Sequence, residues 1–278
     1  MMRILISRIL KTLATVSVFV FFISTAFAQQ APVQIGDTEN FAILAGSTIT
    51  NTGSSVVYGD IGLFPGTSFT GSENIVLDGK IHLTNTDASK AKDALTLAYN
   101  DVAGRTPVTI VATELGGQTL LPGVYASESG TFEITGTLTL DAKGDKDAMF
   151  IFQMASTLVT ASNSNVELIN AATSCAVYWQ VGSSSTLGVN SKFVGRIYAS
   201  ESITLNNGAK VTGQLLAMTG AVTLDKNVVS NQLCMASQTD NELPNTSDNP
   251  ANQVLLVIAL LLIGISLLYV ARDTYKKD

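Results

Sequence analysis

The side chains that most often do chemistry are scarce in this chain. Its 278 residues include one histidine, His82, and two cysteines, Cys175 and Cys234. That is too few soft ligands for a zinc or haem site. Asp141, Asp145 and Asp147 cluster around Lys143 and Lys146, but the lysines interrupt the run. It lacks the D-x-D-x-D-G spacing of a calcium loop and reads as a solvated turn. The glycine-rich stretches never take the form of a phosphate-binding loop. No catalytic set, metal or cofactor is therefore expected. Charge points the same way. Only 14% of the residues are charged, against roughly 25% in an average soluble domain. With the six basic and two acidic residues of the chain ends set aside, ten Lys and Arg face twenty Asp and Glu between 29 and 248. An acidic stretch with no basic stripe speaks against nucleic acid and against docking on anionic lipid.

What the chain has in quantity is small hydroxylated residues in short alternating runs, and these runs repeat. Residues 178–187 align with 196–205 at an offset of 18, and 214–224 follow 18 to 19 residues later. Upstream, 150–158 has the same form. A period near 20 with two short strands per unit signals a β-solenoid, whose coils bury their inward faces only by stacking on their neighbours. Alternation then sorts side chains. With the leucines and other apolar residues inward, Thr139, Thr157, Thr186, Thr204 and Thr223 point outward, flanked by Ser202 and Ala221. Stacked in register, they make one file on one outer face. Threonine also suits any solvent-facing strand, yet exposed strands usually carry protective charge, and these carry almost none. Further threonines at Thr48, Thr50 and Thr160 leave open which face matters. Arg196 and Tyr198 belong to a different face.

One segment reads as a helix. Over 87–103, Ala91, Leu95, Ala98 and Val102 recur at helical spacing. Thr86 or Asp87 is the expected cap, and Gly104 the expected left-handed stop. The alanine-rich face should lie close against something flat.

The ends read as export and tether. Residues 1–28 combine a basic start, an apolar run and Ala26-Phe27-Ala28, the pattern of a secretory signal peptide cleaved after Ala28. A polar stalk, 237–253, precedes the 18 apolar residues 254–271, long enough to cross a bilayer. The tail 272–278 carries Arg272, Lys276 and Lys277, which belong on the cytoplasmic side. In the stalk, Leu243-Pro244-Asn245-Thr246-Ser247 resembles a sortase sorting signal, with Ser247 in place of glycine. By that resemblance the bond after Thr246 would be cut and the threonine carboxyl joined to the cell wall; a plain membrane anchor is the other reading. Either way the domain 29–236 is expected outside the cell, at its surface. In an exported chain Cys175 and Cys234 can pair; two free buried thiols are the alternative.

From about 40 to 227 the chain resembles the secreted ice-binding domain of cold-adapted bacteria, fungi, diatoms and sea-ice copepods. FAILAGSTITNTGSSVVYGDIGLFPG (41–66), AKDALTLAYNDVAGRTP (91–107), AMFIFQMASTLVT (148–160) and the long stretch 175–227 carry the resemblance. It implies a mostly β fold, an irregular right-handed β-solenoid of triangular cross-section with one long α-helix packed alongside. It also implies that N-terminal coils, Phe41 to about Pro65, insert among C-terminal ones. The implied partner is the surface of an ice crystal, met by a flat face of Thr, Ser and Ala. A surface-tethered ice-binding protein or ice adhesin is thus the first expectation. A cell-surface β-helix adhesin or carbohydrate-active protein without ice activity is the second.

Overall fold

The computed structural model describes residues 30–232 and Cys234. No helix among them is long and apolar enough to cross a membrane. The signal peptide, the sorting motif at Leu243, Pro244, Thr246 and Ser247, the apolar span and the basic tail all lie outside the described residues.

The described chain winds into stacked coils with three sides, each lined by parallel strands. One side is a seven-stranded sheet in the order Phe132–Ile134, Leu158–Thr160, Ser185–Leu187, Ile203–Leu205, Val222–Asp225, Thr48–Thr52, Ser68–Thr70. The other two sides share a 15-stranded network. Two long strands, Lys192–Ala199 and Lys210–Ala217, bend from one of these sides to the other and pair in register along their whole length. The bends fall at Gly195 and Gly213, with φ of 112° and 148°. A Cβ on Gly213 would lie 1.9 Å from the Gly195 carbonyl oxygen, so no other residue fits between the coils there. At the corner beside the seven-stranded sheet, Asn163, Asn190 and Lys226 turn the chain with φ of 60°, 55° and 53°, a conformation asparagine tolerates better than most residues.

Stacking decides burial. Inward residues at matched positions, such as Ile43, Ile61, Ile197 and Leu215, are wholly buried. The aromatic residues of the core also stack: the rings of Phe152 and Trp179 lie 3.9 Å apart and nearly parallel.

The N-terminal coils are not inserted among the C-terminal ones. They extend the stack beyond its last C-terminal coil: Ile43 pairs with Leu215, Ile49 with Val222, and Val56 with Val228. A second N-terminal coil then lies outermost, with Phe69 on Ile49 and Leu77 on Val57. The reason is that each of the last C-terminal strands pairs with its preceding coil on one edge only, and the other edge takes an N-terminal strand as parallel partner.

The helix then returns the chain to the start of the stack. It spans Thr86–Ala103, buries Ala88, and packs Ala91, Leu95, Ala98 and Val102 into a cluster with Leu44, Val124, Ile151, Tyr178, Tyr198 and Leu216. Its cap is Asn85, whose side chain accepts the Ala88 N–H at 2.9 Å, not Thr86 or Asp87. Gly104 is not left-handed either: it keeps φ −90° and donates to the carbonyls of Asn100 and Asp101. The helix covers the side bearing Arg196 and Tyr198. Arg196 is buried there, donating to Gln214 at 2.6 Å with its guanidinium 5.9 Å from the Tyr178 ring.

Cys175 and Cys234 are disulfide-bonded, with Cα atoms 5.2 Å apart, an ordinary spacing. The bond closes a loop of 59 residues, worth about 4 kcal/mol in the chain-entropy account. The acidic turn has its own closure. The Asp141 carboxylate accepts the Lys143 and Asn170 N–H groups and pairs with the Lys143 ammonium at 2.7 Å. The Lys143 and Asn170 hydrogen bonds hold it at about 2, below its ordinary 3.8. A carboxylate whose folded value is depressed adds stability above the unfolded value and loses it as pH falls through the folded one. Between pH 4 and 2 the melting temperature should therefore fall less steeply in Asp141→Asn than in the wild type, a difference an acid series of thermal melts would register.

Candidate functional site

The seven-stranded sheet faces solvent with two rows of side chains. Its inward row runs Phe132, Leu158, Ser185, Ile203, Val222, Ile49, Phe69. One residue later in each strand comes an outer row: Glu133, Val159, Thr186, Thr204, Thr223, Thr50, Thr70. One residue earlier comes the second outer row, through Thr157, Ser184, Ser202, Ala221, Thr48 and Ser68. Thr48 and Ser68 are direct partners.

Five threonines thus occupy consecutive coils. With coils about 4.8 Å apart their row is about 19 Å long, and the second row runs parallel at a two-residue spacing of about 6.7 Å. From the Thr157–Val159 coil to the Ser68–Thr70 coil neither row contains a charged residue. The charges stand at the margins: Glu133 in the preceding coil, Glu201 at one corner and Asp225 at the other. Thr186, Thr204, Thr223 and Thr50 are half-buried by their neighbours, and Thr70, on the outermost coil, is exposed. β-Branched residues in such a packed row have little freedom at χ1, so the face is stiff.

The adjoining side differs in kind. Its outer rows contain Lys192, Lys210 and Glu167. The third side is covered by the helix. Among the described residues, therefore, only one side is open and regular, and it is free of charge from the Thr157–Val159 coil to the Ser68–Thr70 coil.

The expected single file is corrected in two places. Thr139 lies on the adjoining charged side, between Thr119 and Glu167. Thr157 is on the seven-stranded sheet but one row over from Thr186. The slip has a definite source: the position matching Leu158 is Ser185, not Leu187. Ser185 is a buried hydroxyl in an otherwise apolar row, so a phase set by leucines misses it. Thr186, Thr204 and Thr223 do align, and Ser202 and Ala221 are neighbours in the second row. Thr50 and Thr70 complete the file from the other end of the chain. The signal for Thr70 was present: Thr-Ile-Thr at 48–50 and Ser-Phe-Thr at 68–70 lie 20 residues apart with the same phase.

Comparison with known proteins gives a consistent picture. The profile of the Ice-binding-like family matches residues 43–230. An "Ice-binding protein" of Nostoc sp. (strain HG1) is 40% identical over 246 residues, covering 87% of this chain and 88% of its own. Among solved structures, an ice-binding protein from an Antarctic biological consortium superposes with a TM-score of 0.71 at 41% identity, over 72% of this chain and 91% of its own. That of the Antarctic ascomycete Antarctomyces psychrotrophicus gives 0.69 at 35%, over 72% and 98%. Each of these two solved chains is little more than the matched region, so a unit of this extent folds by itself.

Proposed function

The chain belongs to the Ice-binding-like family, and from that premise we propose that it adsorbs to ice on the side formed by the seven-stranded sheet. The observation that carries this reading is the uncharged file Thr186, Thr204, Thr223, Thr50 and Thr70. Ice presents a lattice of donors and acceptors without net charge. A charged face would have to shed its own tightly held hydration to meet it. A threonine brings a methyl that orders the adjacent water and a hydroxyl that anchors it. Side chains held at a fixed repeat can keep a patch of ice-like water in place before contact, which lowers the ordering cost of adsorption. Adsorbed molecules then make the ice front grow curved between them, so growth or recrystallisation slows.

The relatives are named as ice-binding proteins, not enzymes. A polysaccharide-active β-helix would need carboxylates converging on a groove, and the two outer rows have none between Thr157 and Thr70.

The ends of the chain extend the proposal. Export by the 1–28 signal, and tethering by the 254–271 span or by cutting after Thr246, would hold the domain on the outer surface of the cell. There it would fix the cell to ice or shield its envelope. A soluble 29–242 fragment should shape growing ice crystals and inhibit recrystallisation, and the full chain should fractionate with the envelope. Ordinary disc-shaped crystal growth in the fragment's presence would end the ice reading. Recovery of the full chain from the medium would end the tether.

A further inference from the structure

The two outer rows differ in what their hydroxyls already do. In the second row the hydroxyls of Thr157, Ser184 and Ser202 are engaged inside the protein, while those of Thr48 and Ser68, on the two N-terminal coils, have no protein partner among the described residues. Ser184 Oγ accepts the Ser202 N–H at 3.2 Å, and Ser202 Oγ accepts the Ala221 N–H at 3.1 Å. The Ser184 hydroxyl also donates to the Glu201 carboxylate at 3.3 Å, which Ser183 reaches at 3.0 Å. Thr157 Oγ1 lies 3.4 Å from Thr131 Oγ1. Ala221 has no hydroxyl at all. In the first row, none of the hydroxyls of Thr186, Thr204, Thr223, Thr50 and Thr70 has a protein partner among the described residues.

The difference follows from where each row sits on its strand. Ser202 and Ala221 precede the first ladder residues, Ile203 and Val222, so their N–H groups enter the sheet with no strand carbonyl to meet. A serine oxygen one coil back supplies the acceptor. Thr204 and Thr223 lie mid-strand, where the backbone groups pair with one another. No backbone donor is left over for their side chains.

We propose that over the coils from Thr157 to Thr223 the hydroxyls contacting ice are those of the threonine row, and that Ser184 and Ser202 are positioning residues, each fastening its coil to the following one. This rests on the ice-adsorption reading and narrows it, over those coils, to the threonine row. Water held by a hydroxyl that already serves a backbone N–H has fewer directions in which to bond, so the serines add little to adsorption. The row also stops for a visible reason. The sixth place is Val159, which has the shape of threonine without the oxygen, and the seventh is Glu133.

Four variants of the 29–242 fragment test this by thermal hysteresis and amide exchange. Thr204→Val with Thr223→Val and Ser184→Ala with Ser202→Ala each delete two hydroxyls and leave the carbon framework in place. The threonine pair should lose roughly tenfold or more of the activity, in line with two lost hydrogen-bonding groups. The serine pair should stay within about twofold of wild type while amide exchange at Ser202 and Ala221 accelerates, and Ser202→Thr should restore the protection of Ala221. Val159→Thr should raise activity above wild type. Circular dichroism and a thermal melt confirm that each variant is folded. Equal losses in the two double variants, or a threonine pair that keeps its activity, would overturn the assignment. A wild-type fragment with no hysteresis would overturn the ice reading beneath it, a distinct result.

Discussion

Tyrosine at both Thr186 and Thr204 will remove ice adsorption from the 29–242 fragment while leaving it folded. The two threonines are direct neighbours in adjacent coils, near the centre of the uncharged face. A tyrosine there stands several ångströms proud of the row and holds the neighbouring threonines away from any flat surface. Adsorption depends on many weak contacts made at once, so two bulky side chains at the centre disrupt far more of them than the two they replace. Hysteresis and crystal shaping should drop by more than about tenfold, a loss of the size expected when two central contacts fail. Stability should change little, because the side chains point outward and surface substitutions usually shift it within about 0.5 kcal/mol. Tyrosine at Thr139 is the matched control. It stands beside Glu167 on the charged side and should leave hysteresis unchanged. Loss of activity in the Thr139 variant equal to that in the double variant would show that the wrong side has been chosen.

The largest effect on stability is expected from Trp179→Ala. Trp179 is fully buried, stacks on Phe152, packs against Phe193 and donates its indole N–H to the Val194 carbonyl at 3.0 Å. Truncation of a buried tryptophan costs about 3–5 kcal/mol, and the lost ring stack about 1 kcal/mol more. For a domain of this size that corresponds to a fall in melting temperature of roughly 10–20 °C. Coils in a solenoid support only their neighbours, so the loosened region should centre on residues 150–200. Hydrogen exchange should therefore rise there first, before the N-terminal coils. A shift of only a degree or two would mean that the aromatic stack is dispensable and that coil pairing alone holds the fold.

Much of this architecture was legible in the residues, for physical reasons that also mark where legibility ended. The period near 20 is a direct consequence of stacking, since equivalent positions in successive coils meet equivalent surroundings. It therefore exposed the solenoid and the threonines at 186, 204 and 223. The helix was visible because Ala91, Leu95, Ala98 and Val102 must all face the sheet. Its cap was less so, because Asn85, Thr86 and Asp87 are all capable caps and only the local geometry chooses among them. Thr139 was misplaced because a strand of alternating Thr and Leu looks the same on any side of a three-sided stack. Thr157 slipped by one row because the buried Ser185 stands where a leucine was expected. That Thr50 and Thr70 join this file depends on Thr50 pairing with Thr223, more than 150 residues away, which no local pattern encodes, although the 20-residue repeat relates the two to each other. Nor does spacing reveal which hydroxyls are already bonded: Ser202 and Thr204 read alike in sequence, and only the Ala221 N–H of the following coil separates them.

The most direct measurement is ice-affinity partition of the 29–242 fragment, in which a slowly growing ice mass either takes up the protein or rejects it. Adsorption through the threonine file predicts that wild type is enriched in the ice fraction and that Thr186→Tyr/Thr204→Tyr stays in the liquid. Rejection of the wild-type fragment to the same degree as an unrelated folded protein would contradict it.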